Sequence, residues 1–78
     1  MTVTARVYGT LRRFSAPGTP GVWRGELPEG SSLRDLLRAV GADEREVAAA
    51  SLDGTVRPLD TRIPEGAEIL LVTPMGGG

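Results

Sequence analysis

The 78-residue sequence contains no cysteine, no histidine and no lysine, and all nine of its basic residues are arginine. Without cysteine there is neither a disulfide framework nor a thiolate metal site. Without cysteine, histidine and lysine together, the chain lacks the usual nucleophiles, the usual near-neutral general base and any Schiff-base amine. Carboxylates alone can run glycosidase-type chemistry, but a sugar-binding cleft is hard to build in so small a domain. An independent enzyme is therefore not expected, and neither is a resident metal or cofactor.

Aromatic residues are scarce as well: Tyr8, Phe14 and Trp23. The arginines are dispersed and the net charge is −1. With no basic run interleaved with aromatics, nucleic-acid binding has little support. The longest apolar run, Ile69-Leu70-Leu71-Val72, is far too short to span a bilayer. Met1-Thr2-Val3-Thr4-Ala5-Arg6 lacks the basic region and apolar run of a secretory signal, so a cytoplasmic location is expected.

The length fits one domain with a small core. Residues 2–8 alternate, with Val3, Ala5 and Val7 on one face and Thr4, Arg6 and Tyr8 on the other, the pattern of a half-buried strand. Turn chemistry through Pro17-Gly18-Thr19-Pro20-Gly21 leads to a second strand over 22–27, so the two should form a hairpin with a wide loop.

The helix signal is the clearest. Ser32 is an N-cap with Asp35 three residues on, and Leu33, Leu36, Leu37 and Val40 form one apolar stripe before Gly41 ends it. Residues 42–46 read as a charged loop or helical turn. A strand over 47–52, a tight Asp53-Gly54 turn and a partner strand over 55–59 follow. Pro58 marks that partner as an edge strand or one that ends early. The last strand, 67–73, should turn Ile69 and Leu71 inward and Leu70 and Val72 outward.

The order β-β-α-β-β-β gives an α+β fold. It fits a β-grasp, or ubiquitin-like, architecture: a mixed sheet of four to five strands on one main helix. A ferredoxin-like split would need a second full helix, for which residues 42–50 are a weak candidate. The domain should occupy 1–73, leaving 74–78 (Pro74, Met75, Gly76, Gly77, Gly78) as a flexible tail. Glycine is the most costly residue to order and buries no side chain. Three in succession suit a segment that must thread a narrow channel, and five residues extend a carboxylate roughly 17 Å.

Three segments carry a resemblance across almost the whole chain. They are Leu27-Pro28-Glu29-Gly30-Ser31-Ser32-Leu33, the run from Asp60-Thr61-Arg62-Ile63-Pro64-Glu65-Gly66 to Ile69, and Pro74-Met75-Gly76-Gly77-Gly78. In this order they resemble the MoaD/ThiS family of sulfur carrier proteins, and Val7-Tyr8-Gly9-Thr10-Leu11-Arg12 is similar to its MoaD side. The resemblance implies an E1-like activating enzyme that adenylates the Gly78 carboxylate with ATP. A sulfur donor protein then displaces AMP, leaving a thiocarboxylate that gives its sulfur to a substrate held by a synthase subunit. Molybdopterin and thiamin biosynthesis both use such carriers, with the molybdopterin type slightly favoured here. Gly77 would be the second residue of the diglycine. Gly76 departs from the Ala or Thr often found there and should only loosen the tail. Nothing follows Gly78, so no proteolytic maturation is expected.

The partner interface should be the outer face of the sheet, through Tyr8, Val56, Leu70 and Val72 with Arg12 just beyond the first strand. Two other readings share the same sequence. One is a ubiquitin-like modifier conjugated through Gly78, and the other is a β-grasp interaction module whose glycines are incidental.

Overall fold

The computed structural model describes residues 1–74. Five strands, β1 (Thr2–Val7), β2 (Val22–Glu26), β3 (Ala49–Leu52), β4 (Thr55–Arg57) and β5 (Ile69–Val72), form one sheet in the order β2-β1-β5-β3-β4. The central strand, β5, runs parallel to β1, and the other pairings are antiparallel. The one α-helix among the described residues, α1 (Leu33–Val40), covers one face. This is the expected β-grasp, with both hairpins present.

The helix forms where its caps allow it. The Ser32 hydroxyl accepts from the Asp35 N–H at 3.2 Å, and the Asp35 carboxylate accepts from the Ser32 N–H at 2.9 Å. The two N–H groups before Asp35 are satisfied from outside the helix: Leu33 donates to the Thr61 carbonyl at 3.0 Å and Arg34 to the Leu59 carbonyl at 2.9 Å. The connection before β5 thus completes the helix start. Gly41, with φ of 95°, closes the other end in the left-handed conformation.

The core lies between helix and sheet. Leu33, Leu36, Leu37 and Val40 are buried against Val3, Ala5 and Val7 of β1, Ala50 and Leu52 of β3, and Ile69 and Leu71 of β5. Leu11, Leu27 and Ile63 fill the margins. The Asp53-Gly54 turn has φ of 50° and 88°, the pair of positive values that a two-residue hairpin loop requires.

Several boundaries are tighter than the alternation suggests. The first strand ends at Val7 because a 3-10 helix, Gly9–Phe14, begins at once, with the Leu11 N–H on the Tyr8 carbonyl at 3.2 Å. The third starts at Ala49, since Val47 still donates to Glu44 in the 3-10 turn Glu44–Glu46. The fourth stops at Arg57, where Pro58 has no N–H to offer the ladder. Before the fifth, Glu68 is held by the Asp53 side chain, and Ala67 belongs to a turn closed on Pro64.

Candidate functional site

Strand register decides what lies on the face away from the helix. Arg6 pairs with both Val22 and Leu70, Leu70 with Ser51, and Ser51 with Val56. Directly opposed residues share a face, so Val22, Arg6, Leu70, Ser51 and Val56 make one row across the sheet. Val72 pairs with Ala49 in the next row. Continuing the β1–β5 register by one residue sets Tyr8 beside Val72.

Tyr8 is 43%, Val72 38% and Val56 66% exposed, while Leu70 is half-buried. Tyr8, Leu70 and Val72 thus form one apolar patch around the end of β5, from which the chain leaves the sheet. Val56 lies on the same face but not in that patch. Ser51 stands between it and Leu70, two strand spacings or roughly 10 Å away. The sequence reading put Arg6 on this face without counting it in the interface, and it missed Val22 and Ala49. Arg6 and Val22 follow from β1–β2 alternation, but Ala49 needed the register of β3.

Arg12 is exposed on the 3-10 helix. With Arg6, Tyr8, Pro20, Gly21 and Val22 it lines a shallow cavity of about 210 Å³ beside the patch. Away from this patch, Arg13 meets Glu46 at 2.7 Å, Arg34 meets Glu44 at 3.0 Å and also Asp60, and Arg45 meets Asp43 at 3.1 Å. Arg6 and Arg12 make no ion pair among the described residues. The hydrogen bonds to the capping carboxylate hold Asp35 below its usual pKa, and Arg13 and Arg45 do the same for Glu46 and Asp43.

Pro74 is exposed at the end of the described chain. Met75, Gly76, Gly77 and Gly78, on which the expected covalent chemistry falls, lie outside the described residues. Among those described, no group of acidic residues is arranged to hold a metal ion. No helix among them is long and apolar enough to cross a membrane.

The ThiS family profile matches residues 6–78, from the outer-face Arg6 through the terminal glycines. The chain belongs to the ThiS family. Among solved structures, this ThiS-family chain superimposes on SAMP1 from Haloferax volcanii with a TM-score of 0.73 and 18% identity, covering 100% of both chains. A putative molybdopterin converting factor subunit 1 from Pyrococcus furiosus matches with a TM-score of 0.70 and 19% identity over 96% of this chain and 99% of that one. These likenesses show the shared fold. A third match is to threonine--tRNA ligase from Thermus thermophilus, 41% identical over 49 residues. That match covers 62% of this chain, and the chain spans only 7% of the length of that relative.

Proposed function

We propose that this protein is a sulfur carrier whose reactive group is the Gly78 carboxylate. The observation that carries the reading is the family match through residue 78, on a fold whose central strand β5 leads into the glycine segment. The carboxylate attacks ATP on an E1-like adenylating enzyme and releases pyrophosphate. The persulfide of a sulfur donor protein then attacks the acyl carbon and expels AMP, and a second thiol of the partners cleaves the resulting acyl disulfide, forming a disulfide with the donor and releasing a thiocarboxylate for a sulfur-accepting synthase subunit. ATP and sulfur are used through the partners, which supply the catalytic groups this chain lacks. The absence of cysteine suits a carrier that keeps its sulfur on its terminus, because no internal thiol competes in exchange. The segment from Val7 to Arg12 favours a molybdopterin-type acceptor.

The docking surface in this reading is the outer face at the end of β5: Tyr8, Leu70 and Val72 at its centre, Arg12 beside it and Val56 at its margin. Solvent-exposed apolar residues are common singly. Three meeting at the point where the reactive segment departs fit a surface covered during activation.

The second reading is a ubiquitin-like modifier joined through Gly78 to a lysine of a target. The same glycines would serve it, and the similar H. volcanii protein is by its name a small archaeal modifier. Having no lysine, this chain cannot build polymers through its own side chains. Mass spectrometry of the native protein separates the readings. A gain equal to one oxygen replaced by sulfur is the expected result. Higher-mass protein adducts would move the assignment to the modifier, and an unmodified terminus in cells with active sulfur transfer would overturn both.

A further inference from the structure

The ladder of β5 ends with the Ala48 N–H donating to the Val72 carbonyl at 2.7 Å. What meets the next residue is a glycine. Gly9 has φ of +60°, and continuing the parallel register from Val7 and Leu71 by two residues sets it against Thr73. A Cβ at position 9 would stand 3.2 Å from the Thr73 Cβ and 3.3 Å from its Cγ2, and would overlap Oγ1.

We infer that the Gly9–Thr73 contact sets the direction in which the chain leaves the sheet, making Gly9 a positioning residue for chemistry at the carboxyl end. This rests on the carrier reading above. A methyl group at position 9 has nowhere to go without moving something stiff. Thr73 is β-branched, so its χ1 is restricted. The Gly9 side is the firmer of the two: Leu11 is wholly buried and donates to the Tyr8 carbonyl at 3.2 Å, and Arg13 donates to the Thr10 carbonyl at 2.8 Å. Thr73 has the strand on one side only, so the displacement falls on Thr73 and Pro74. Pro74 fixes its own φ, so a rotation there changes the angle at which the chain leaves β5. Misplacing a reacting group by about 1 Å can cost on the order of a hundredfold in rate, whereas the patch that docks remains in place.

The test measures ATP–pyrophosphate exchange on the E1-like adenylating enzyme of the same genome, with carrier concentration varied. Gly9→Ala is expected to lower kcat at least tenfold while KM for the carrier stays within about twofold. Gly9→Ala with Thr73→Ala should recover most of the loss, because the γ atoms are gone. Gly9→Ala with Thr73→Val should not, because both γ positions remain filled. Both double variants carry the same positive-φ cost, so a purely structural glycine would give them equal activity. Thr73→Ile, which enlarges the contact with Gly9 intact, should reproduce the kcat loss and covers the case in which Gly9→Ala does not fold. Unchanged kcat in Gly9→Ala or Thr73→Ile, or no difference between the two rescue variants, would overturn the inference while leaving the carrier reading standing. An inactive wild type would sink the carrier reading, and this inference with it.

Discussion

The indole of Trp23 lies across the place where residue 25 would carry a side chain: a Cβ on Gly25 would be 2.6 Å from its Cη2 and 2.7 Å from its Cζ2. Both residues are on β2, two apart and therefore on one face, which the Ala5–Trp23 and Val3–Gly25 pairings identify as the core side. The ring closes the margin of the core over that gap, packed against buried residues and itself half-buried.

Gly25→Ala should therefore destabilise the domain, although glycine within a strand or helix normally costs about 0.5–1 kcal/mol relative to alanine. Two effects of opposite sign compete, and the overlap with a rigid ring is the larger. Overpacking costs typically about 1–3 kcal/mol. In a domain of this size each kcal/mol lowers Tm by about 4–8 °C. A calorimetric scan showing equal or higher Tm would mean that the indole swings away freely.

Leu36→Ala should cost about 2–5 kcal/mol, as large-to-small changes in a closed core do. Leu36 is wholly buried in the stripe that joins α1 to the sheet. That is a large share of the stability of a small domain. The denaturant midpoint of the variant measures it, with an unchanged slope showing that the loss is one of stability.

Stability should fall on acidification, partly through the helix cap. Asp35 is held below its usual pKa by its hydrogen bonds with Ser32, chiefly that from the backbone N–H. A folded-state pKa below the unfolded one means that the unfolded chain binds the proton first. The contribution is thus complete above the unfolded pKa and is lost as pH falls through the folded one. Glu46 and Asp43 act in the same direction through Arg13 and Arg45. Asp35→Ala should lower stability near neutral pH and flatten the acid limb of the stability–pH curve. Parallel curves for variant and wild type would remove the cap from this account.

Much of the fold was legible because its signals are local. The Ser32–Asp35 box, the leucine stripe and Gly41 define α1 without reference to any other segment. The alternation in residues 2–8 and 67–73 assigned Val3, Ala5, Val7, Ile69 and Leu71 inward, and all are buried. What the pattern could not give was strand adjacency. Ser51 separates Val56 from Leu70 only because β3 lies between β5 and β4. The Gly9–Thr73 and Trp23–Gly25 contacts were hidden differently. A glycine in sequence reads as a turn or a weak point, and only the neighbouring atoms reveal that its missing side chain is the requirement. The 3-10 helix Gly9–Phe14 has too few residues to show a period.

Removing Gly78 should abolish activation while leaving the fold intact. No described core contact depends on it, since the core ends at Leu71. Thermal melting should match wild type, and ATP–pyrophosphate exchange should vanish, because the carboxylate no longer reaches the nucleotide. Undiminished exchange by the truncated protein would refute the carrier reading.

Val72→Asp should block docking of the adenylating enzyme without unfolding the protein. Val72 is 38% exposed on the outer face, while its neighbour Leu71 is fully buried. A carboxylate at position 72 remains hydrated in the free protein, so the folding cost should be small. β-Propensity contributes at most about 1 kcal/mol at such a site. In the complex the same carboxylate would be covered by an apolar surface beside Tyr8 and Leu70. Burying a polar group without a partner costs roughly 2–7 kcal/mol, and an unpaired charge more. Arg6 and Arg12 lie toward the neighbouring edge and carry no carboxylate partner among the described residues, so some of this penalty could be offset. Val72→Lys, which the same arginines repel, serves as the companion variant. With each 1.4 kcal/mol worth about a factor of ten, both variants should weaken binding by at least about a hundredfold, lysine more than aspartate. Isothermal titration against the adenylating enzyme reads the affinities, and circular dichroism confirms that each variant is folded. Wild-type affinity in both folded variants would place the docking face away from the end of β5.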